Sequence, residues 1–126
     1  MAYDHDGRHS TLDQAKTDVE TLVRKGAPAH KICLGVPFYG RGVRDRKQEL
    51  AYAEIVRRHK PAPDVDEVAG IYFNGVKTIQ AKTRHAVDNG LGGVMIWELG
   101  QDTNDEASLV RAIQEVVRET RPRRGE

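Results

Sequence analysis

Several kinds of function are excluded by what this sequence lacks. Cys33 is the only cysteine among 126 residues, which excludes an internal disulfide and a zinc site built from cysteines. Because Cys33 lies in an apolar run, we expect it to be a small buried packing residue. No apolar run is long enough to cross a bilayer.

Charge is nearly balanced. Lysine and arginine total 20, aspartate and glutamate total 19, and the net charge is +1. The chain therefore has no long-range field to attract nucleic acid or an acidic membrane, and we expect neither as a partner. The length suits one domain, but a hydrophobic content of 38% is low for a self-contained one. Since the chain opens directly on a motif, we expect further sequence of the same domain upstream.

Hydrophobic patterning predicts the order strand, helix, strand, helix, helix, strand, helix. The predicted strands are residues 1–4, 32–36 and 93–98, with a very short one at 71–73. The predicted helices begin at Thr11 with a Thr11-x-x-Gln14 capping box, at residue 49, at Asn74 as an N-cap, and near Asp105. Residues 38–42 are expected to form a glycine-bounded aromatic loop. Apolar strands alternating with amphipathic helices predict an α/β fold of parallel βα units.

Aromatic and ionisable residues follow each predicted strand. In parallel α/β folds, chemistry lies at the carboxyl ends of the strands. Those ends carry Tyr3 and Asp4, then Phe38, Tyr39 and Arg41, and finally Trp97, Glu98 and Asp102. Trp97, the only tryptophan, ends the apolar run 94–97, which is expected to be buried on both faces. A flat ring beside hydroxyl and carboxyl groups is typical of a site for the apolar face of a sugar.

Two other candidate groups have simpler interpretations. His5 and His9 lie in a loop with no second pair to complete a metal site, so we expect solvated histidines and no metal. Strand alternation directs Trp97 and Met95 to one face and Glu98 towards the helices, where a structural ion pair or hydrogen bond is expected. No cofactor is expected.

Three motifs together resemble one protein family. "MAYD", "LGVPFYGRG" and "GGVMIWELGQD", in that order, resemble the sixth, seventh and eighth strand motifs of glycoside hydrolase family 18, the chitinases and their relatives. The resemblance extends from Met1 to about Ile113 and implies part of a (β/α)8 TIM barrel. It implies that residues 1–120 are the C-terminal portion of the catalytic domain, its last three strands. Residues 121–126 are expected to be a disordered basic tail.

The resemblance also implies a chemistry and a partner. Family members hydrolyse β-1,4-linked N-acetylglucosamine polymers by substrate assistance, in which the sugar's acetamido oxygen attacks its own anomeric carbon. The family's D-x-x-D-x-D-x-E motif, which ends in the general acid, is absent here, so we expect no catalysis by this chain alone. Chitin or chitooligosaccharide is the expected partner, and secretion is implied for the parent enzyme.

Residue roles follow from the same resemblance. Tyr3 matches the hydroxyl that holds the acetamido oxygen, and Asp4 matches the neighbouring carboxylate. Trp97 matches the platform under the sugar ring. Met1 matches a position beside the general acid, and Tyr39 and Arg41 match the cleft wall.

Two structural expectations and three functions remain open. Residues 43–73 are too few for the extra α+β domain of larger members, which predicts a shallow cleft and internal cleavage. The inner strand faces are apolar, which predicts a missing N-terminal barrel half or self-association. The chain is a chitinase portion, a non-catalytic chitooligosaccharide-binding module, or an unrelated structural α/β domain.

Overall fold

The computed structural model describes residues 7–122 and residue 125. Its helices are α1 (Leu12–Arg24), α2 (Tyr52–His59), α3 (Val76–Asp88) and α4 (Leu109–Thr120). Its strands are β1 (Cys33–Pro37), β2 (Tyr39–Gly42), β3 (Glu49–Ala51), β4 (Glu67–Val68), β5 (Ile71–Tyr72) and β6 (Gly93–Trp97). Within the described residues, no helix has the length and apolar character required to span a membrane.

Strands β1 and β6 form a parallel pair, as the sequence predicted. Their register runs from Cys33 opposite Gly93 to Pro37 opposite Trp97. The predicted first strand, residues 1–4, lies outside the described residues. The α/β class is therefore confirmed, whereas the assignment of three consecutive barrel strands stays a prediction.

The other four strands form a small antiparallel sheet in the order β3-β2-β5-β4. This sheet corrects two predictions, because residues 39–42 are a strand rather than a loop, and residues 49–51 are a strand that precedes α2. Cross-strand pairing stabilises these strands, with Arg41 opposite both Glu49 and Tyr72. Strands of two to four residues are too short to show a hydrophobic period, and among these four only β5 (Ile71–Tyr72) was predicted, as the very short strand at 71–73.

Helix α1 begins where the capping pattern predicted. The Thr11 side chain accepts a hydrogen bond from the Gln14 amide at 3.2 Å. The reciprocal half of the box is absent, because the Gln14 side chain donates instead to Asp18 at 2.8 Å. Gly26 follows the helix with φ of 97°, a left-handed conformation that favours glycine.

The starts of α3 and α4 differ from the predictions. Gly75, not Asn74, is the N-cap of α3, because the buried Asn74 amide donates to the Ser10 carbonyl at 3.2 Å. Helix α4 begins at Leu109 with Ser108 as its cap, later than predicted. A tertiary contact thus removes Asn74 from the cap of α3, whereas a local hydrogen bond, from the Arg111 amide to the Ser108 side chain, caps α4.

The core lies on one face of the parallel pair. Leu34 and Val36 of β1 are buried there. Leu34 packs in a smaller cluster with Ala15 and Val19 of α1. Val36 belongs to the main cluster, with residues in or next to the antiparallel sheet and the helices: Phe38, Tyr52, Ile55, Ile71, Phe73, Ile79, Leu109 and Ala112.

The opposite face of the parallel pair is open. Met95 is 46% exposed and Trp97 is 58% exposed, and Cys33 is exposed as well. The predictions that the strand 94–97 is buried on both faces and that Cys33 is buried are therefore wrong. Alternation correctly put Met95 and Trp97 on one face. The burial prediction failed because an apolar pattern does not report whether another element covers that face.

Candidate functional site

The carboxyl ends of β1 and β6 lie side by side, and Trp97 is at this edge. Trp97 pairs with Pro37, and its carbonyl accepts a hydrogen bond from the Phe38 amide at 2.8 Å. Phe38 is fully buried, whereas Trp97 is more than half exposed. The peptide bond between Trp97 and Glu98 is cis. The pairing with Pro37 and the hydrogen bond from Phe38 hold the Trp97 backbone, while its indole remains accessible.

Strand β2 continues from this edge and presents Tyr39 and Arg41 on one face. Gly40 and Gly42 alternate with them and are buried on the other face. A Cβ on Gly40 would lie 2.8 Å from the side chain of Ile55, which is too close. Gly40 therefore allows β2 to pack closely against the core, and Gly42 allows close approach of the turn at Asp45 and Gln48. The Tyr39 and Arg41 side chains are half-buried on the other face.

His9 packs directly against this face. Its ring stacks on Tyr39 with centroids 5.3 Å apart and planes at 14°, and it meets Tyr72 edge-on at 6.2 Å. The Arg41 guanidinium lies 5.6 Å from the Tyr39 ring centre and pairs with Glu49 at 3.1 Å. The prediction of a solvated His9 is wrong, since only 1% of the residue is exposed.

A buried polar cluster holds the segment that carries His9. The Lys82 ammonium, itself fully buried, donates to both the carbonyl and the hydroxyl of Ser10. The Asn74 amide donates to the same carbonyl. On the other side of His9, Arg8 pairs with Glu67 of β4 at 2.9 Å. These contacts join residues 8–10 to both α3 and the antiparallel sheet.

The burial of Lys82 was not predicted from the sequence, although the spacing of this residue on the helix indicates it. Residues at helical spacing on the buried face of α3 are Ile79, Lys82, Thr83 and Ala86. A lysine in such a series is expected to be exposed or to have a specific buried partner. Its position among apolar neighbours could have indicated the buried cluster.

Burial shifts the protonation equilibria of both basic groups. Desolvation lowers the pKa of His9 to about 4, with Arg41 and Lys82 acting in the same direction and the Tyr72 carbonyl opposing them. Desolvation likewise lowers the pKa of Lys82 to about 7, against the attraction of Asp66. His9 is therefore a neutral ring at neutral pH.

Acidification should destabilise the protein through His9. The unfolded imidazole takes up a proton near pH 6.5, but the folded one does so only near pH 4. The stability contributed by the neutral ring is therefore complete above about pH 6.5 and is lost as the pH falls to about 4. Urea unfolding measured across this range should show a smaller loss in His9→Phe than in the unsubstituted protein. If the free energy of unfolding fell equally steeply with decreasing pH in the two proteins, this role of His9 would be contradicted.

Glu98 and Asp102 have different roles at the edge. Glu98 is exposed and makes no ion pair or side-chain hydrogen bond with a described residue, so the expected structural pairing is not observed. The Asp102 carboxylate instead accepts from the amides of Leu109 and Val110 at 2.9 and 3.1 Å and from the Ser108 hydroxyl at 2.7 Å. Asp102 is thus part of the N-terminal cap of α4.

The remaining predicted site residues, Met1, Tyr3 and Asp4, lie outside the described residues. The structure brings together Tyr39 and Arg41 of β2, and places Trp97 at the end of the neighbouring strand pair. Among residues 7–122 and 125, no three histidine, cysteine or acidic side chains are grouped so as to hold a metal ion.

The family model for glycosyl hydrolases family 18 matches residues 1–102. The chain belongs to this family. That match includes all three strand-end motifs, so Trp97, Tyr39 and Arg41 lie in a family 18 framework.

Solved structures and one curated relative agree with the family 18 assignment. The chitinase ChiB from the chitin utilization locus of Flavobacterium johnsoniae is 37% identical, with a TM-score of 0.82, over 92% of this chain and 40% of its own. A chitinase from Bacteroides thetaiotaomicron is 27% identical, with a TM-score of 0.84, over 100% of this chain and 47% of its own. A probable endochitinase of Orgyia pseudotsugata multicapsid polyhedrosis virus is 27% identical over 86% of this chain and 25% of its own length.

A more distant neighbour, at 22% identity and a TM-score of 0.68, is catalytic domain 2 of Ostrinia furnacalis Group II chitinase. It covers 94% of this chain and 43% of its own, and a mutant of it was solved in complex with penta-N-acetylchitooctaose. At this identity the likeness shows the fold alone. This family 18 chain spans less than half the length of each of these relatives.

Proposed function

We propose that this family 18 chain supplies part of a chitooligosaccharide site, with Trp97 as the platform under a sugar ring. The observation that carries the proposal is the exposed indole at the end of β6 in a chain whose relatives are chitinases. The axial C–H face of a pyranose is apolar and flat, so it buries well on an indole. The indole fills no core space, which supports a role in binding.

Tyr39 and Arg41 form the wall of this site in our proposal. Arg41 carries five N–H donors, and its described partners are the carboxylate of Glu49 and the Arg46 carbonyl. Those contacts fix the guanidinium while leaving donors for sugar hydroxyls. Met1, Tyr3 and Asp4 complete the site, with the Tyr3 hydroxyl directed at the acetamido oxygen and Asp4 beside it.

The reaction we infer for the whole catalytic domain is substrate-assisted hydrolysis of β-1,4-linked N-acetylglucosamine polymers. The acetamido oxygen attacks the anomeric carbon while a general acid protonates the departing glycosidic oxygen, and water then opens the cyclic intermediate. Residues 1–120 are a C-terminal portion of that domain. Because D-x-x-D-x-D-x-E is absent from the 126 residues, we infer that this portion alone does not cleave.

Sequence outside the 126 residues would supply the general acid. The same missing barrel half would cover the open face around Cys33 and Met95 and leave Trp97, at the carboxyl end of β6, accessible to the sugar. Self-association is the alternative cover. Residues 43–73 contribute only short strands and α2, which supports a shallow cleft and internal cleavage.

A non-catalytic chitooligosaccharide-binding module is the second candidate. The observation in its favour is that the sequence retains an exposed Trp97 but not the acidic motif. Both candidates predict binding. The two candidates differ in the activity of the longer protein that would contain this chain. That longer protein should release reducing ends from chitin oligomers only if it is an enzyme.

Binding is testable through the only tryptophan. Titration of the protein with tetra-N-acetylchitotetraose should change the Trp97 fluorescence saturably, because the sugar covers the indole. Cellotetraose, which lacks the acetamido groups, is the matched control and should bind at least about tenfold more weakly. Equal responses to the two sugars, or no response from protein with native circular dichroism, would overturn the proposal.

A further inference from the structure

We propose that His9 is a positioning residue that sets the orientation of the Tyr39 ring for the ligand. This inference rests on the proposed function and adds a residue that does not itself touch the sugar. The observation that carries it is the nearly parallel stack of the two rings at 5.3 Å and 14°. Tyr39 is half-buried, so one face of its ring is supported by His9 while the side chain remains accessible.

The orientation of the His9 ring is itself fixed. Its Nε2 lies 3.1 Å from the Tyr72 carbonyl oxygen, and because a carbonyl only accepts, Nε2 carries the proton. Tyr72 also meets the ring edge-on. This hydrogen bond and the edge contact together hold the His9 ring that Tyr39 stacks against.

The backbone on both sides of His9 is anchored. Ser10 has φ of 53°, a left-handed conformation that is unfavourable for a residue other than glycine. Three hydrogen bonds, two from Lys82 and one from Asn74, hold it there. Arg8 is fixed by Glu67 on the other side. The segment therefore cannot turn His9 away without breaking a buried network.

Tyr39 in turn contacts Arg41, the charged residue of the proposed cleft wall. Arg41 lies over the Tyr39 ring and pairs with Glu49 on the neighbouring strand. A Tyr39 ring that changed its rotamer would lose the guanidinium contact. The order of dependence is therefore His9, then Tyr39, then Arg41, and only the last two are expected to meet a ligand.

A double-mutant cycle tests whether His9 acts through Tyr39. His9→Ala should weaken tetra-N-acetylchitotetraose binding about fivefold, and this effect should fall below about twofold in the Tyr39→Ala background. His9→Phe, which keeps a flat ring of similar size, should restore most of the affinity. His9→Gln, which keeps an N–H donor but has no ring, should not restore the affinity. His59→Ala, at an exposed histidine, is the matched control and should leave binding unchanged.

A measurement without ligand separates this inference from the proposed function. In a protein with labelled tyrosines, His9→Ala should shift the Tyr39 ring resonances, and His9→Phe should return them towards an aromatic-stacked position. If the resonances shift but no variant binds sugar, the proposed function fails and the positioning role stands. If binding occurs and His9→Ala weakens it equally in both backgrounds, the positioning role fails and the proposed function stands. Unchanged Tyr39 resonances would also overturn the positioning role.

Discussion

Replacing Trp97 by alanine should weaken chitooligosaccharide binding at least about 30-fold, which corresponds to about 2 kcal/mol. The exposed indole offers a large flat apolar surface to the sugar, and alanine leaves the sugar face in water. Because the side chain is 58% exposed, its removal creates no core cavity. The free energy of unfolding should therefore change by less than about 1 kcal/mol. Calorimetric titration measures the binding, since the variant has no tryptophan fluorescence.

Trp97→Phe is the control for this prediction. A phenyl ring retains a flat apolar face of smaller area. The affinity of Trp97→Phe should therefore lie between those of the unsubstituted protein and Trp97→Ala. Met95→Ala removes the exposed neighbour on the same face and should leave binding within about twofold. A Trp97→Ala protein that is folded and binds as tightly as the unsubstituted protein would refute the platform role.

Replacing Asp102 by alanine should lower the free energy of unfolding by about 3 kcal/mol. The carboxylate accepts three hydrogen bonds at the start of α4, from two backbone amides and the Ser108 hydroxyl. Hydrogen bonds to a charged acceptor contribute more than neutral ones, and the charge lies at the positive end of the helix dipole. Removal leaves Leu109 and Val110 with unpaired amides. Thermal unfolding followed by circular dichroism should show a midpoint lower by roughly 10 °C.

Asp105→Ala is the matched control for Asp102. Asp105 is exposed, and its side chain accepts from only one described amide, that of Ala107, at 2.9 Å. The loss of stability should therefore remain below about 1 kcal/mol. Asp102→Asn keeps one accepting oxygen but loses the charge, and an intermediate value is expected. Equal effects of Asp102→Ala and Asp105→Ala would show that the cap contributes no more than a surface turn.

The different fates of Glu98, Asp102 and Trp97 show where sequence reasoning about the candidate site stopped. Trp97 is the last residue of β6, and Glu98 and Asp102 come soon after it. Their position suggested a site for Trp97 and Asp102, whereas strand alternation assigned Glu98 a structural role. Asp102 reaches the start of α4 because the chain turns back through the 3-10 segment Leu99–Gln101. The sequence could not indicate this use, since it depends on where the next helix begins in space.

His9 and Lys82 show a second limit. An isolated histidine in a polar loop and a lysine on a helix are solvated in most proteins. Here residues 63 and 72 positions away in sequence supply the partners, namely the Tyr72 carbonyl for His9 and Ser10 for Lys82. Such contacts arise only when the loop, the sheet and α3 meet. The helical spacing of Lys82 indicates that it faces the core, but no local pattern identifies its partner or that of His9.

The sequence by itself determined the parallel strand pair, the start of α1 at Thr11, the shared face of Met95 and Trp97, and membership of family 18. These features depend on side-chain period and local hydrogen bonding, or on motif order, all of which can be read along the chain. Tertiary structure alone decided that Cys33 and Met95 are exposed, that His9 is buried and Lys82 contacts Ser10, and that residues 39–42 and 49–51 join an antiparallel sheet. The physical reason is that a sequence pattern specifies which face of an element is apolar, whereas burial and strand pairing depend on which other element covers or adjoins that face.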